Sequence, residues 1–264
     1  MTNTQPRTVI VKIGGSSLGP EDTTFSDLVR LHQERTRVIV VHGGGPTVTD
    51  WLGRIGVETS FVDGRRVTDE PTLEVVTAVL SGLVNKTIVA EIQKAGGKAA
   101  GISGSDGPTV IARVRDETLG RVGDVASVEP ELLDAISAAG MIPVVAPVSR
   151  EDGPSARLLN VNADSVAGAL AEAVRADRVV FLTDVPGVLG SAGELIQTLN
   201  EAQARHLIAI GVISGGMIPK IEACLTALRH AEMAQIVDGR RPGALLDALT
   251  NRAGTVISRG ANQD

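Results

Sequence analysis

The sequence predicts an α/β fold: a three-layer αβα sandwich around a mainly parallel central sheet, arranged as two lobes. Three observations point there. Short runs such as Val9-Ile-Val11 and Val38-Ile-Val-Val41 are apolar at every position, the mark of strands buried on both faces. Stretches with apolar residues at helical spacing alternate with them, and parallel neighbours need such crossovers. Glycines also follow two of the runs with at most two residues between, Gly14-Gly15 and Gly43-Gly44-Gly45, where ligands meet the strand ends of open α/β sheets.

The elements follow in order. Residues 8–13 form the first strand, and 25–34 a helix with Leu28, Val29 and Leu31 inward. Residues 38–41 form the second strand. Pro46 suits a first helical position, and Val48, Trp51, Leu52 and Ile55 follow at helical spacing. A turn at Gly64 leads into a long helix capped by Thr68 or Asp69 and running to about Lys94. Its apolar residues occupy more than one face, so sheet or partner must cover more than one side. Strands at 98–102 and 142–145, hairpin pieces at 110–114 and 121–125, and a helix at 129–139 come next. Residues 149–157 read as a polar loop, and 160–164 as the opening of a helix that reaches Val174. A strand at 178–183, helices at 201–210 and 217–230, a strand at 234–237, a short helix and a strand at 255–258 complete the chain. The soft boundary near Arg175 divides it into lobes 1–175 and 176–264.

Composition narrows the function. Of 264 residues, 43% are hydrophobic but only 2% aromatic, and the net charge is −6. That leaves little for stacking on bases and no basic surface for a phosphate backbone, so nucleic acid is not an expected partner. Cys224 is the single cysteine, which excludes an internal disulfide and a multi-cysteine metal site. It sits among Ile221, Leu225 and Leu228 as a small hydrophobe. Neither a signal peptide nor an apolar run near the roughly 20 residues of a bilayer span is expected, so the reading is cytoplasmic with no membrane partner.

The motifs indicate anion chemistry. Lys12 near a strand end beside Gly14 and Gly15 suits a phosphate, because glycine amides approach a ligand without Cβ interference. Gly43, Gly44 and Gly45 offer further donors, and Lys220 follows another glycine pair, Gly215-Gly216. Neither a Walker-type loop nor a Gly-x-Gly-x-x-Gly fingerprint occurs. Gly15-Ser-Ser17-Leu-Gly19 and His42-Gly-Gly-Gly45 match serine-hydrolase motifs literally, but in reversed order, and Pro20 stands where a helix must begin.

Lys12-Ile-Gly14-Gly15-Ser16, His42-Gly43-Gly44-Gly45, Gly64-Arg65-Arg66-Val67-Thr68, Asn160-Val-Asn162-Ala-Asp164, Leu182-Thr-Asp184-Val-Pro-Gly187 and Ser214-Gly215-Gly216-Met217-Ile-Pro-Lys220 occur in the order seen in the amino acid kinase family. The chain resembles that family from about residue 8 to 258, most of all its acetylglutamate branch. The resemblance implies ATP-dependent phosphorylation of the side-chain carboxylate of N-acetyl-L-glutamate, in arginine biosynthesis. It implies that Lys12 and Lys220 flank the transferring phosphoryl group and that Asp164 holds both. It further implies that the first lobe binds the acyl amino acid and dimerises, while the second holds ATP through Thr183, Asp184, Gly215, Gly216, Met217 and Lys220.

Magnesium is expected to arrive on ATP, held mainly by phosphates and water. A carboxylate nucleophile is already ionised at neutral pH, so no general base is required. Arg66 suits the substrate α-carboxylate through its planar fork. Asn160 and Asn162 can donate and accept toward the acetamido group and carboxylate, with helix capping as the plainer role of Asn162. The plainer role of Asp164 is that of an acid in a helix's first turn. Arg65 stands where the branch more often has an apolar residue and is read as solvent-facing. His42 reads as a strand-end residue. Acylated aminoadipate, one methylene longer, is the alternative substrate. A non-catalytic binding module of the same fold would not need both lysines. Only residues 1–7 precede the first strand, too few for the N-terminal helix that links arginine-inhibited relatives into rings. The expectation is therefore an arginine-insensitive homodimer.

Overall fold

In the computed structural model, residues 7–15, 22–62 and 64–259 are described. Ser16 and Ser17 of the first motif, and the rest of the elbow-like match through Gly19, lie outside them.

The chain opens with β1 (Thr8–Ile13), α1 (Thr24–Gln33), β2 (Arg37–His42) and α2 (Gly45–Arg54). A small hairpin of β3 (Phe61–Val62) and β4 (Arg65–Arg66) precedes the long helix. That helix consists of α3 (Glu70–Thr77), a π-helical segment Ala78–Val84 and α4 (Asn85–Lys94). Asp69 is its N-cap, accepting from the Thr72 amide at 2.9 Å. The π-helical segment has no sequence signature, because it is an adjustment of i→i+5 bonding to what the helix packs against. An 18-residue window of the helix has mean hydropathy 1.5, long and apolar enough to cross a membrane by composition. This corrects the expectation that no such run occurs. Here its polar members are used inside the fold: Asn85 is buried and bonded to the sheet.

There follow β5 (Ala99–Ser103), β6 (Val110–Val114), β7 (Val122–Val128), α5 (Glu131–Ala138), β8 (Ile142–Ala146), β9 (Val148–Glu151), β10 (Leu158–Val161) and α6 (Ala163–Ala173). The second half supplies β11 (Arg178–Thr183), β12 (Thr198–Asn200), α7 (Glu201–Ala209), α8 (Met217–Ala227), β13 (Met233–Asp238), α9 (Ala244–Leu249) and β14 (Thr255–Ser258).

Eight strands make the central sheet in the order β12-β14-β13-β11-β1-β2-β8-β5. All neighbours run parallel except β13 and β14. The first strand is therefore central, and β11 from beyond the expected boundary is its direct partner. Side chains alternate across the sheet as the pleat demands. Ile10, Ile39 and Val41 pack toward α6 and α8, whereas Val9, Val11, Ile13, Val38 and Val40 pack toward α1, α4 and α9. Lys12 shares the face of Ile10, and His42 shares the opposite face with Val40.

Three readings change. Residues 149–157 are not simply a polar loop, because β9 occupies their start. Asn160 is on β10 rather than in a helix, and α6 starts only after Asn162. These strands join β6 and β7 in a small closed barrel, β10-β7-β6-β9, whose pairings span up to about 40 residues and leave no local periodic trace. On α2 only Val48 and Leu52 are buried; Trp51 and Ile55 are 38% and 56% exposed. That helix is covered on one side alone, and Arg54 lies over the Trp51 ring.

Candidate active site

Lys12 projects from the end of β1 toward the first turn of α6. Its Nζ lies 2.9 Å from Asp164 Oδ1, an ion pair out of line for a hydrogen bond, with the two side chains 8% and 6% exposed. Lys220, from the first turn of α8, donates to Asp164 Oδ2 at 3.2 Å and to the Gly216 carbonyl at 3.4 Å. One carboxylate thus holds two ammonium groups side by side. Burial alone would raise the Asp164 carboxyl, but Lys12 and Lys220 outweigh it and hold it below its ordinary value. Two cations fixed by one buried anion leave a net positive centre, suited to a polyanion.

The helix crossing sets this geometry. A Cβ at Gly168 on α6 would lie 2.6 Å from the Ala223 carbonyl oxygen of α8, so the two backbones touch. Cys224 lies just beyond Lys220 on α8. Burial first, and then Asp164, push its thiol well above the ordinary range, in keeping with a packing role.

The glycine amides divide. Gly14 N–H is spent on the Leu182 carbonyl at 3.1 Å, and Gly43 N–H on the Ile13 carbonyl at 3.0 Å. Both bonds continue the sheet ladder past the strand ends. This corrects the reading of Gly14 and Gly43 as free phosphate donors. A Cβ at Gly43 would lie 3.9 Å from Lys12 Nζ, in ordinary contact, so the residue adjoins the lysine without crowding it. The N–H groups of Gly15, Gly44 and Gly45 bond to no acceptor in the described chain. Gly44 has φ 152°, and a Cβ would meet Leu80 at 2.7 Å, so a side chain is disfavoured twice.

Beside this centre a cavity of about 190 Å³ is lined by Gly44, Gly45, Arg66, Asn160 and Asn162, with Val122 among its apolar walls. It is smaller than the roughly 300–1,000 Å³ typical of drug-sized sites, so it suits a small ligand. Arg66 is buried within it. Its Nη2 donates to the Gly45 carbonyl at 3.1 Å and to Thr49 Oγ1 at 2.8 Å, and Phe61 lies under the guanidinium at 4.7 Å. Arg66 Nη1 is buried with no partner among the described residues. A buried donor left unpaired is costly, so a ligand oxygen is the natural occupant. Asn160 Nδ2 donates to Thr68 Oγ1, which donates to the Arg66 carbonyl, tying β10 to the arginine. Asn162 caps α6, its Oδ1 accepting from the amides of Asp164 and Ser165. Only its Nδ2 is left for a ligand. Arg65 is half-buried at the cavity mouth, not fully solvent-facing.

Thr183 ends β11, the strand beside β1, and Asp184 follows it; neither lines this cavity. Gly215 and Gly216 lead into α8, which begins at Met217. Sequence reasoning missed Thr49 and Phe61, and read Thr68 as a motif member and possible cap rather than as a link to Arg66. Their link to Arg66 is a matter of side-chain geometry, although Thr49 at one helical turn from Gly45 was open to that inference.

The model of the amino acid kinase family matches residues 7–238. The chain belongs to the amino acid kinase family. It is 45% identical to an acetylglutamate kinase of Dehalococcoides mccartyi over 98% of its own length and 97% of that protein. It is also 45% identical to one of Cereibacter sphaeroides, over 94% and 87%. Among solved structures, smu.665 of Streptococcus mutans superposes with TM-score 0.82 at 26% identity, covering 95% of this chain and 98% of that one. A Giardia lamblia carbamate kinase bound to AMP-PNP shares the fold with TM-score 0.70 at 16% identity, covering 96% and 99%.

His42 makes the protein's acid stability predictable. Burial first, offset in part by the Gly43 carbonyl and reinforced by Lys12 and Lys86, lowers its pKa from 6.5 to about 4. The unfolded chain takes up a proton below about 6.5 while the folded chain does not. Stability is therefore complete above that pH and is lost as pH falls toward 4, by about 3 kcal/mol in all. Thermal melts across this range should slope for the native protein and be flatter for His42→Gln.

Proposed function

We propose that the chain transfers the γ-phosphoryl group of ATP to the side-chain carboxylate of N-acetyl-L-glutamate, in arginine biosynthesis. The observation that carries this reading is the Lys12–Asp164–Lys220 cluster beside a small cavity holding the unpaired Arg66 Nη1. The names of the 45% identical relatives support the same substrate. A carboxylate oxygen attacks phosphorus, the bond to the β,γ-bridging oxygen breaks, and ADP leaves with that electron pair. No proton has to move. The work is alignment and charge neutralisation. Lys12, Lys220 and the amides of Gly15, Gly44 and Gly45 neutralise the phosphates. Arg66, Asn160 and the Asn162 amide hold the acyl amino acid. Thr183, Asp184 and Gly215–Met217 border the nucleotide.

Asp164 is engaged by both ammonium groups. That fits a magnesium ion carried by the phosphates and water, which would supply further charge neutralisation. ATP use fits a cytoplasmic reaction. Residues 1–175 carry the acid and residues 176–264 the nucleotide. Hydroxamate trapping of the acyl phosphate, with ATP and each candidate acid, tests the assignment. N-acetyl-L-glutamate should be turned over, and preference for an acylated aminoadipate would replace it.

The reading includes a homodimer formed through the long helix, where Leu83 is 47% exposed and only 33% of the apolar window is buried. Light scattering should give twice the chain mass for the native protein, and the single-chain mass for Leu83→Glu.

A further inference from the structure

Behind the glycine loop, on the sheet face opposite Lys12, lies a buried polar chain that the reaction as described does not use. Asn85 is fully buried. Its Nδ2 faces the carbonyls of Val144 at 2.9 Å and Ile102 at 3.2 Å, and His42 Nε2 at 3.1 Å. Its Oδ1 accepts from Lys86 Nζ at 2.9 Å. Two carbonyls on one side and an ammonium on the other admit only this orientation of the amide, whose nitrogen donates and cannot accept. His42 Nε2 must then present a lone pair, and the ring proton sits on Nδ1. That nitrogen donates to the Gly43 carbonyl at 2.8 Å.

The consequence falls on the next amide. No peptide in the described chain is cis, so C=O and N–H of the Gly43–Gly44 unit point in opposite directions. With the carbonyl held back toward the ring, the Gly44 N–H, which has no acceptor in the described chain, points away from it. A side chain at Gly15 would come to 3.4 Å of that nitrogen, so the free amides of Gly15 and Gly44 are neighbours.

Two further features serve this arrangement. In a regular α-helix residues 80 and 85 lie about 140° apart around the axis. The π-helical segment Ala78–Val84 adds a residue to the turn and brings them toward one face. Leu80 thereby closes on Gly44 while Asn85 reaches His42. Across the sheet, an ideal Cβ at Gly101 would lie 1.9 Å from Asn85 Oδ1, so this glycine's missing side chain is the space the amide occupies.

We propose that Asn85, acting through His42, fixes the Gly43–Gly44 peptide with its N–H turned to the transferring phosphoryl group, making both side chains positioning residues for phosphoryl transfer. The proposal rests on the kinase reading above. A misdirected donor costs transition-state stabilisation while the acid's own contacts, on Arg66, Asn160 and Asn162, are untouched.

The test uses the full chain labelled with 15N. The imidazole signal that disappears in His42→Gln should, in the native protein, show a neutral ring protonated on Nδ1. Magnesium with AMP-PNP should shift the Gly44 amide. Asn85→Asp puts an acceptor opposite Nε2 and should move the ring proton there, with the Gly44 shift diminished. Gly101→Ala, which the backbone tolerates, should displace Asn85 from the opposite side. Both variants should lower kcat about 10- to 100-fold with the KM for N-acetyl-L-glutamate within about twofold. A native His42 protonated on Nε2, or a Gly44 amide indifferent to nucleotide, overturns the proposal. So does a folded Gly101→Ala protein with native kcat, or one altered in KM alone. Should the native chain fail to phosphorylate N-acetyl-L-glutamate, the functional reading falls, while the tautomer and the nucleotide-induced shift still decide the proposal.

Discussion

Replacing Lys12 with alanine is expected to lower kcat by about 10²-fold or more, while the KM for N-acetyl-L-glutamate changes little. The side chain is 8% exposed and its ammonium is held by Asp164, so water cannot replace it when charge develops on the phosphoryl oxygens. Loss of one preorganised donor of this kind costs on the order of 10²- to 10³-fold. The substitution also leaves Asp164 with a single cationic neighbour, and an under-compensated buried carboxylate destabilises the fold. Lys220→Ala separates the two effects, because that side chain is 20% exposed and enters from α8. It should lose turnover to a similar degree with a smaller fall in melting temperature. Single-turnover kinetics on both folded variants is the measurement. Near-native turnover in either would remove that lysine from the transfer point.

Arg66→Lys should weaken N-acetyl-L-glutamate binding about 10- to 100-fold and leave ATP affinity within about twofold. The arginine spends Nη2 on Gly45 and Thr49, stacks on Phe61 and keeps Nη1 for the ligand. One ammonium cannot reach those oxygens and a carboxylate in the same geometry. A hydrogen bond to a charged partner contributes about 1.5–3 kcal/mol, which sets the expected range. Calorimetric titration of each ligand alone checks it. Equal losses for both would mean that Arg66 supports the fold rather than the acid.

Much of this site is legible in the sequence alone. Lys12, Gly15 and Gly44 stand at strand ends in local sequence, because buried parallel strands announce themselves as apolar runs and ligands gather where those runs stop. Arg66, Asp164 and Lys220 are visible as members of ordered motifs. The N-cap at Asp69 and the expected Pro46 position are local chemistry too, since both act within a few residues of themselves.

Tertiary structure decided the rest, wherever partners are distant in sequence. Whether a glycine amide is free depends on which strand end lies beside it. Leu182 and Ile13 claim Gly14 and Gly43 and spare Gly15, Gly44 and Gly45. The small barrel joins strands that share no periodic pattern, and it carries Asn160 to Arg66 through Thr68. The π-helical segment is invisible in propensity, because its partners are set by the fold, which places Leu80 and Val84 against Gly44. His42 shows the division most plainly. From sequence it is a polar residue ending a strand. In the fold it is a buried neutral ring between Asn85 and Gly43, because only folding removes water from it and brings residue 85 within 3.1 Å.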